Sequence, residues 1–202
     1  EFLGLLADRA GKIAIGSQMD FGTDLGPLVS RSQVETVERY VQLGRDEVGE
    51  PICGGHRPEG LADGLDPAAF YTPTIFAGVD NQAKIAQEEI FGPVLAVIPF
   101  DSDDEAVAIA NDSIYGLAGG VQSTNVERAE AVAARMRTGT VWINDYHLID
   151  PKRPFGGYKQ SGIGRELGTQ GFDAYRQVKH IHTNPGGSRD NYLHLTALSG
   201  NI

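Results

Sequence analysis

An open, mainly parallel α/β sheet with helices packed on its faces is the fold this sequence predicts, on three observations. Strand-like and helix-like stretches alternate from residue 93 to 143 at spacings that suit parallel crossovers. The run PVLAVIPF at 93–100 is apolar on both faces, as a buried strand of a parallel sheet is. Two capping boxes, Ser30 with Gln33 and Ser102 with Glu105, each precede an apolar helical stripe.

Taken in order, residues 2–10 place Phe2, Leu5, Leu6 and Ala10 at helical spacing, with Gly11 as a stop. A loop rich in Gly, Pro and Asp over 16–27 leads into the second helix, whose Val34, Val37 and Val41 form one stripe. Residues 51–53 read as a short strand and 54–67 as a glycine-punctuated loop. Pro73 interrupts the extended stretch 71–79, which places that stretch at a sheet edge. Beyond the apolar run, a helix opened by Ser102 carries Ala106, Val107, Ile109 and Ala110 and stops near Ser113. Residues 117–122 return as a strand, 126–137 as a helix closed by Gly139, and 140–143 as a buried strand ending at Asn144. The loop 145–164, with Pro151, Pro154 and the Gly156-Gly157 pair, is long enough to be read as functional. A short helix at 165–167 and a strand-like stretch at 175–183 precede a polar tail. The expected division is therefore an α/β body over 1–164, a short helix and strand over 165–184, and a tail over 185–202.

Composition narrows the function classes. The 202 residues are 41% hydrophobic and 22% charged, which suits a globular chain with a core of its own. A formal net charge of -10, with no basic run, argues against nucleic acid and anionic membrane as partners. One cysteine, Cys53, excludes an internal disulfide and a Cys-x-x-Cys metal cluster, and fits a reducing, cytoplasmic setting. His180, His182 and His194 are too scattered to argue for a metal. The first residue is Glu1 rather than Met, and the expectation is that the native start lies elsewhere.

Two stretches could carry chemistry. In QEEIFGP at 87–93 two carboxylates and an aromatic ring stand at the mouth of the apolar strand. A carboxylate there can accept both hydroxyl protons of a ribose, and the nearby ring can pack on a flat cofactor. Alternatively, Glu88 and Glu89 are a solvated loop and Phe91 is a core anchor. The second stretch, PFGGYKQSGIGRE at 154–166, lets backbone approach a neighbour closely and offers Phe155 as a pocket wall. It lacks the order of a phosphate-binding loop and equally suits a subunit contact. Cys53 reads as a structural thiol, with a catalytic thiol of a thioester hydrolase as a rival reading. His147 could touch substrate or make a local hydrogen bond. Trp142 reads as core, and Arg165 with Glu166 as an ion pair or subunit contact.

The strings EEIFGPV, YGLAGGV, GTVWIN and PFGGYKQSGIGRELG, in this order, resemble the C-terminal part of the NAD(P)-dependent aldehyde dehydrogenase superfamily from Glu1 to about Thr183. The resemblance implies oxidation of an aldehyde to a carboxylic acid, with hydride passing to NAD or NADP and the acyl group held as a cysteine thioester. It implies that Glu89 binds the nicotinamide-side ribose hydroxyls and that Phe91 packs near the nicotinamide. Phe155 matches the aromatic wall of the substrate funnel, and Ile149 a variable position in that funnel. Residues 175–183 match a strand that joins a neighbouring subunit's sheet, so a homodimer or homotetramer is implied. The family's nucleophilic cysteine, general-base glutamate and cofactor domain have no counterpart here. No catalytic residue is therefore assigned, and the isolated chain is expected to be inactive. A different class of reading makes the chain a non-catalytic remnant of the fold, used for oligomerisation or binding.

Overall fold

The computed structural model describes residues 1–183, and the whole of the expected polar tail, 185–202, lies outside them. The chain separates into two compact units. The first is Glu1–Ile149 with Gly156–Gly164; the second is Asp150–Phe155 with the chain from Arg165 onward.

The first unit is built on α2 (Arg31–Glu47), preceded by α1 (Phe2–Ala10). Ser30 caps α2, its Oγ accepting from the Gln33 N–H at 3.2 Å. Val34, Val37 and Val41 fall on one face at i, i+3 and i+7, and all three are fully buried. They pack with Tyr71, Phe76, Val79, Ile85 and Ile90. The Phe76 ring lies against Gly44, where an added Cβ would stand 2.5 Å from the ring carbon Cζ. Strand β1 (Thr74–Ala77), helix α3 (Lys84–Gln87) and strand β2 (Val94–Val97) complete this core, with β1 and β2 parallel and Thr74 opposite Val94. On the other side of β1, Cys53 makes an antiparallel bridge to Ile75.

The same unit then runs through α4 (Asp103–Asn111), β3 (Ala118–Val121), α5 (Val126–Ala133) and β4 (Thr140–Ile143). Strands β3 and β4 are parallel, with Ala118 opposite Thr140, and α5 forms their crossover. The fold class is thus α/β with parallel strands, as the sequence predicts. Among the described residues the sheet is expressed as two parallel pairs, β1-β2 and β3-β4, rather than as one continuous ladder. In the second unit the one helix among the described residues is α6 (Gly168–Asp173).

Several local expectations are corrected. Strand β2 is not buried on both faces. Val94, Ala96 and Ile98 pack on the core, whereas Leu95, on the opposite face, is 46% exposed. Helix α5 ends at Ala133 rather than Arg137. Asn111 takes over the following turn: its Nδ2 donates to the Arg135 carbonyl at 2.9 Å, and its Oδ1 accepts from the Arg137 N–H at 2.7 Å. Residues 165–167 are not helical. Phe155 and Glu166 exchange both backbone hydrogen bonds, at 2.8 and 2.7 Å, and Leu167 adopts a left-handed φ of 60° before α6 begins. Residues 175–183 form no ladder among the described residues and are exposed.

Ion pairs tie helices to their surroundings. The Arg128 guanidinium donates to Asp103, with Nε 2.8 Å from Oδ2, and so links α5 to the start of α4. Arg31 bonds Asp66, and Arg57 bonds Glu38. Each guanidinium holds its carboxylate below the ordinary pKa, chiefly through the hydrogen bond. A depressed carboxylate adds stability above its unfolded pKa of about 4, and that stability is lost as pH falls through the lower folded value. Thermal melts between pH 7 and pH 3 should therefore show a falling midpoint, with a shallower fall in Asp103→Asn. Equal slopes in the two proteins would show that this pair does not contribute.

Candidate functional site

The loop joining α3 to β2 carries the clearest candidate chemistry, and nearly every residue of it is anchored except the two that chemistry would use. Gln87 opens it, with Nε2 donating to the carbonyls of Asn81 at 2.6 Å and Asp112 at 2.9 Å. Glu88 accepts from the Tyr40 hydroxyl at 2.6 Å, and that carboxylate holds the phenol above its ordinary pKa. Ile90 is 8% exposed and belongs to the core. Gly92 lies on Val37, whose Cγ2 occupies the place a Cβ would take. Pro93 closes the loop, its carbonyl accepting from the Thr74 N–H at 2.8 Å.

Glu89 and Phe91 face outward between these anchors. Glu89 is exposed and makes no hydrogen bond or ion pair to another described residue. Phe91 is 74% exposed, so the core-anchor reading of its ring is corrected: Ile90 is the anchor. The backbone of Phe91 has a φ of 54°, a left-handed conformation that costs a residue with a Cβ about 1–2 kcal/mol. Its neighbours hold it there. The Gln33 Nε2 donates to the Ile90 carbonyl at 2.8 Å and the Phe91 carbonyl at 3.1 Å. Gln33 therefore does not complete a capping box, since its side chain faces this loop rather than the helix start. An exposed carboxylate and an exposed ring, two residues apart on a braced backbone, fit a ribose and a flat heterocycle.

The other expected residues lie elsewhere. Ile149 is 45% exposed, in the loop after β4. That loop is shaped by Asn144, whose φ is 54° and whose side chain exchanges two hydrogen bonds with the Ser123 backbone, at 2.8 and 2.9 Å. Trp142 is half-buried rather than core, and its Nε1 donates to the Leu148 carbonyl at 2.8 Å. The His147 ring lies near-parallel to Trp142 with centroids 6.1 Å apart. Phe155 belongs to the second unit and is half-buried in the bridge to Glu166. Lys159, with a φ of 52°, donates through Nζ to the carbonyls of Asn111 and Ser113, both at 2.9 Å, placing its charge at the C-terminal end of α4.

Cys53 is half-buried beside a hollow of about 180 Å³. The nearby His56 ring places Nδ1 2.9 Å from the carbonyl of its neighbour Arg57, and among the described residues no side chain hydrogen-bonds the thiol. A larger concavity of about 530 Å³ lies between α4, β3 and α5, and its walls are mainly apolar. Among the described residues no cluster of His, Cys, Asp or Glu could hold a metal, and no helix is long and apolar enough to cross a membrane.

Residues 1–181 match the aldehyde dehydrogenase family. A betaine aldehyde dehydrogenase of Bacillus subtilis is 48% identical over 184 residues, covering 91% of this chain and 37% of that protein. A betaine aldehyde dehydrogenase of Mesorhizobium japonicum is 44% identical and covers 92% of this chain and 38% of its own. Among solved structures, betaine aldehyde dehydrogenase of Staphylococcus aureus in complex with NAD+ superposes with a TM-score of 0.87 at 43% identity, covering 95% of this chain and 38% of that one. An aldehyde dehydrogenase of Mycobacterium tuberculosis complexed with NAD+ gives 0.84 at 45% identity, covering 92% and 38%. The chain therefore spans less than two-fifths of the length of these relatives.

Proposed function

The chain belongs to the aldehyde dehydrogenase family, and from that premise we propose that it supplies the C-terminal part of an enzyme oxidising an aldehyde to a carboxylic acid with NAD or NADP. The observation that carries the proposal is the braced loop at 87–93, which offers an exposed carboxylate and ring on a backbone fixed from below. When bound, the nicotinamide accepts the hydride released from the substrate carbon. Glu89 accepts hydrogen bonds from the ribose hydroxyls and so sets the cofactor's orientation, while the Phe91 ring packs against it. Each by its own match to the family, Ile149 supplies a variable position toward the aldehyde and Phe155 an aromatic one. The nucleophilic thiol and its base come from outside these residues, since Cys53 is half-buried at the far edge of β1. Assembly as a homodimer or homotetramer through the exposed stretch 175–183, and a cytoplasmic setting, belong to the same proposal.

Two assays test this. The purified 202-residue chain is expected to give no aldehyde-dependent NADH formation; turnover by it would sink the assignment of the thiol to another part of the protein. The gene product as the cell makes it is expected to be longer and to oxidise an aldehyde with NAD. Betaine aldehyde is the first substrate to try, because several relatives are named for it. A native product of only these 202 residues would point instead to a binding or oligomerisation role.

A further inference from the structure

By position along the chain the C-terminal histidines are too scattered to suggest a metal, yet the fold sets two of them side by side. The rings of His180 and His182 lie with centroids 6.3 Å apart and planes 12° from parallel. Residues i and i+2 of an extended segment project to the same side, and here both are imidazoles. Both are exposed, and neither has a hydrogen bond or ion pair to another described residue. A neutral imidazole keeps one nitrogen lone pair, so two lone pairs without a protein partner stand on one side of the chain. The other described histidines differ: the His56 ring meets the Arg57 carbonyl, and the His147 ring lies beside Trp142. No group of three or more His, Cys, Asp or Glu gathers among the described residues, so two imidazoles are the whole of the protein's ligand set here.

We propose that His180 and His182 form a two-imidazole chelate for a divalent transition-metal ion, with water completing its shell. A metal–nitrogen bond is about 2.0–2.1 Å, so an ion between the rings reaches a nitrogen of each once the exposed side chains rotate slightly. Binding the first imidazole makes the second bond intramolecular, which is the source of the affinity. Imidazole suits Cu2+, Ni2+ and Zn2+, with Cu2+ held most tightly, whereas Mg2+ and Ca2+ seek oxygen ligands and are excluded. The site stands apart from the dehydrogenase reading and uses none of its residues.

The test is equilibrium dialysis of the complete gene product against Ni2+, which avoids the oxidation of thiols by Cu2+. Wild type is expected to hold one Ni2+ per chain more than the His180→Asn/His182→Asn double variant, with no competition from excess Mg2+. Each single variant should bind that ion roughly 10- to 100-fold more weakly, since the intramolecular second bond is lost. His56→Asn, which removes an exposed lone histidine, should match wild type. A double variant that binds as much Ni2+ as wild type overturns the proposal. So do single variants of undiminished affinity, because the two rings would then act independently. A second measurement needs no variant: Ni2+ should protect His180 and His182 of the wild-type protein, but not His56, from acylation by diethyl pyrocarbonate, read by peptide mass. Equal labelling of all three with and without Ni2+ overturns the proposal as well.

Discussion

Glu89→Gln in the complete enzyme is expected to lower kcat/KM for NAD roughly 10- to 100-fold, since a hydrogen bond to a charged acceptor contributes about 1.5–3 kcal/mol. Stability should not change. Glu89 is exposed and gives the fold no hydrogen bond among the described residues, so its charge is available to a ligand. Initial rates over a range of NAD concentrations, with a thermal melt of the same preparation, separate the two effects. An unaltered kcat/KM would remove Glu89 from the cofactor site. A lowered melting temperature would instead reassign it to the fold.

Gly139→Ala is the substitution expected to cost the most stability, about 3 kcal/mol, read as a shift of the urea midpoint. The direction a Cβ would take at Gly139 is occupied by the carbonyl oxygen of Gly156, which is backbone and cannot rotate away. Gly116 adds to the crowding: its carbonyl accepts from both the Gly139 N–H at 3.1 Å and the Tyr158 N–H at 2.8 Å, and a Cβ there would stand 2.6 Å from the Arg137 carbonyl oxygen. Three segments thus meet backbone to backbone at the entry to β3 and β4. Gly4→Ala gives the contrast. Nothing lies within 4 Å of its absent Cβ, and alanine at a helix position should stabilise by about 0.5–1 kcal/mol. If Gly139→Ala left the midpoint unmoved, the close approach would not be what fixes residues 156–158.

Elements with a local cause could be read from the sequence. The valine stripe marked α2 because burial on one face repeats at helical spacing, and Ser30 and Ser102 marked helix starts because a hydroxyl completes the first turn. The loop at 87–93 stood out because two carboxylates and a ring preceded an apolar strand. Features decided by distant residues could not be read this way. Gln33 looked like the second half of a capping box, and only the fold brings Ile90 and Phe91 to its amide. The early end of α5 depends on Asn111, more than twenty residues before the turn it holds. The exposure of Leu95 follows from which face of β2 the α2 core covers, and an unbroken apolar run contains no signal for that. Ile149 was named only through family resemblance, since it stands in no pattern of its own, whereas Phe155 was also singled out by its place beside the Gly156-Gly157 pair.

The amide of Gln33 and the carbonyl of Ile90 are 57 positions apart along the chain. Closing so large a loop has an entropic penalty that a single hydrogen bond cannot offset, so the contact forms only once the valines of α2 have collapsed onto Phe76 and Ile85. The turn at Phe91 is therefore cooperative with the core beneath it, and a peptide of residues 87–93 would not hold it. Whatever loosens α2, whether heat, denaturant or a cavity at Val37, dissolves the geometry of this loop in the same step as the fold.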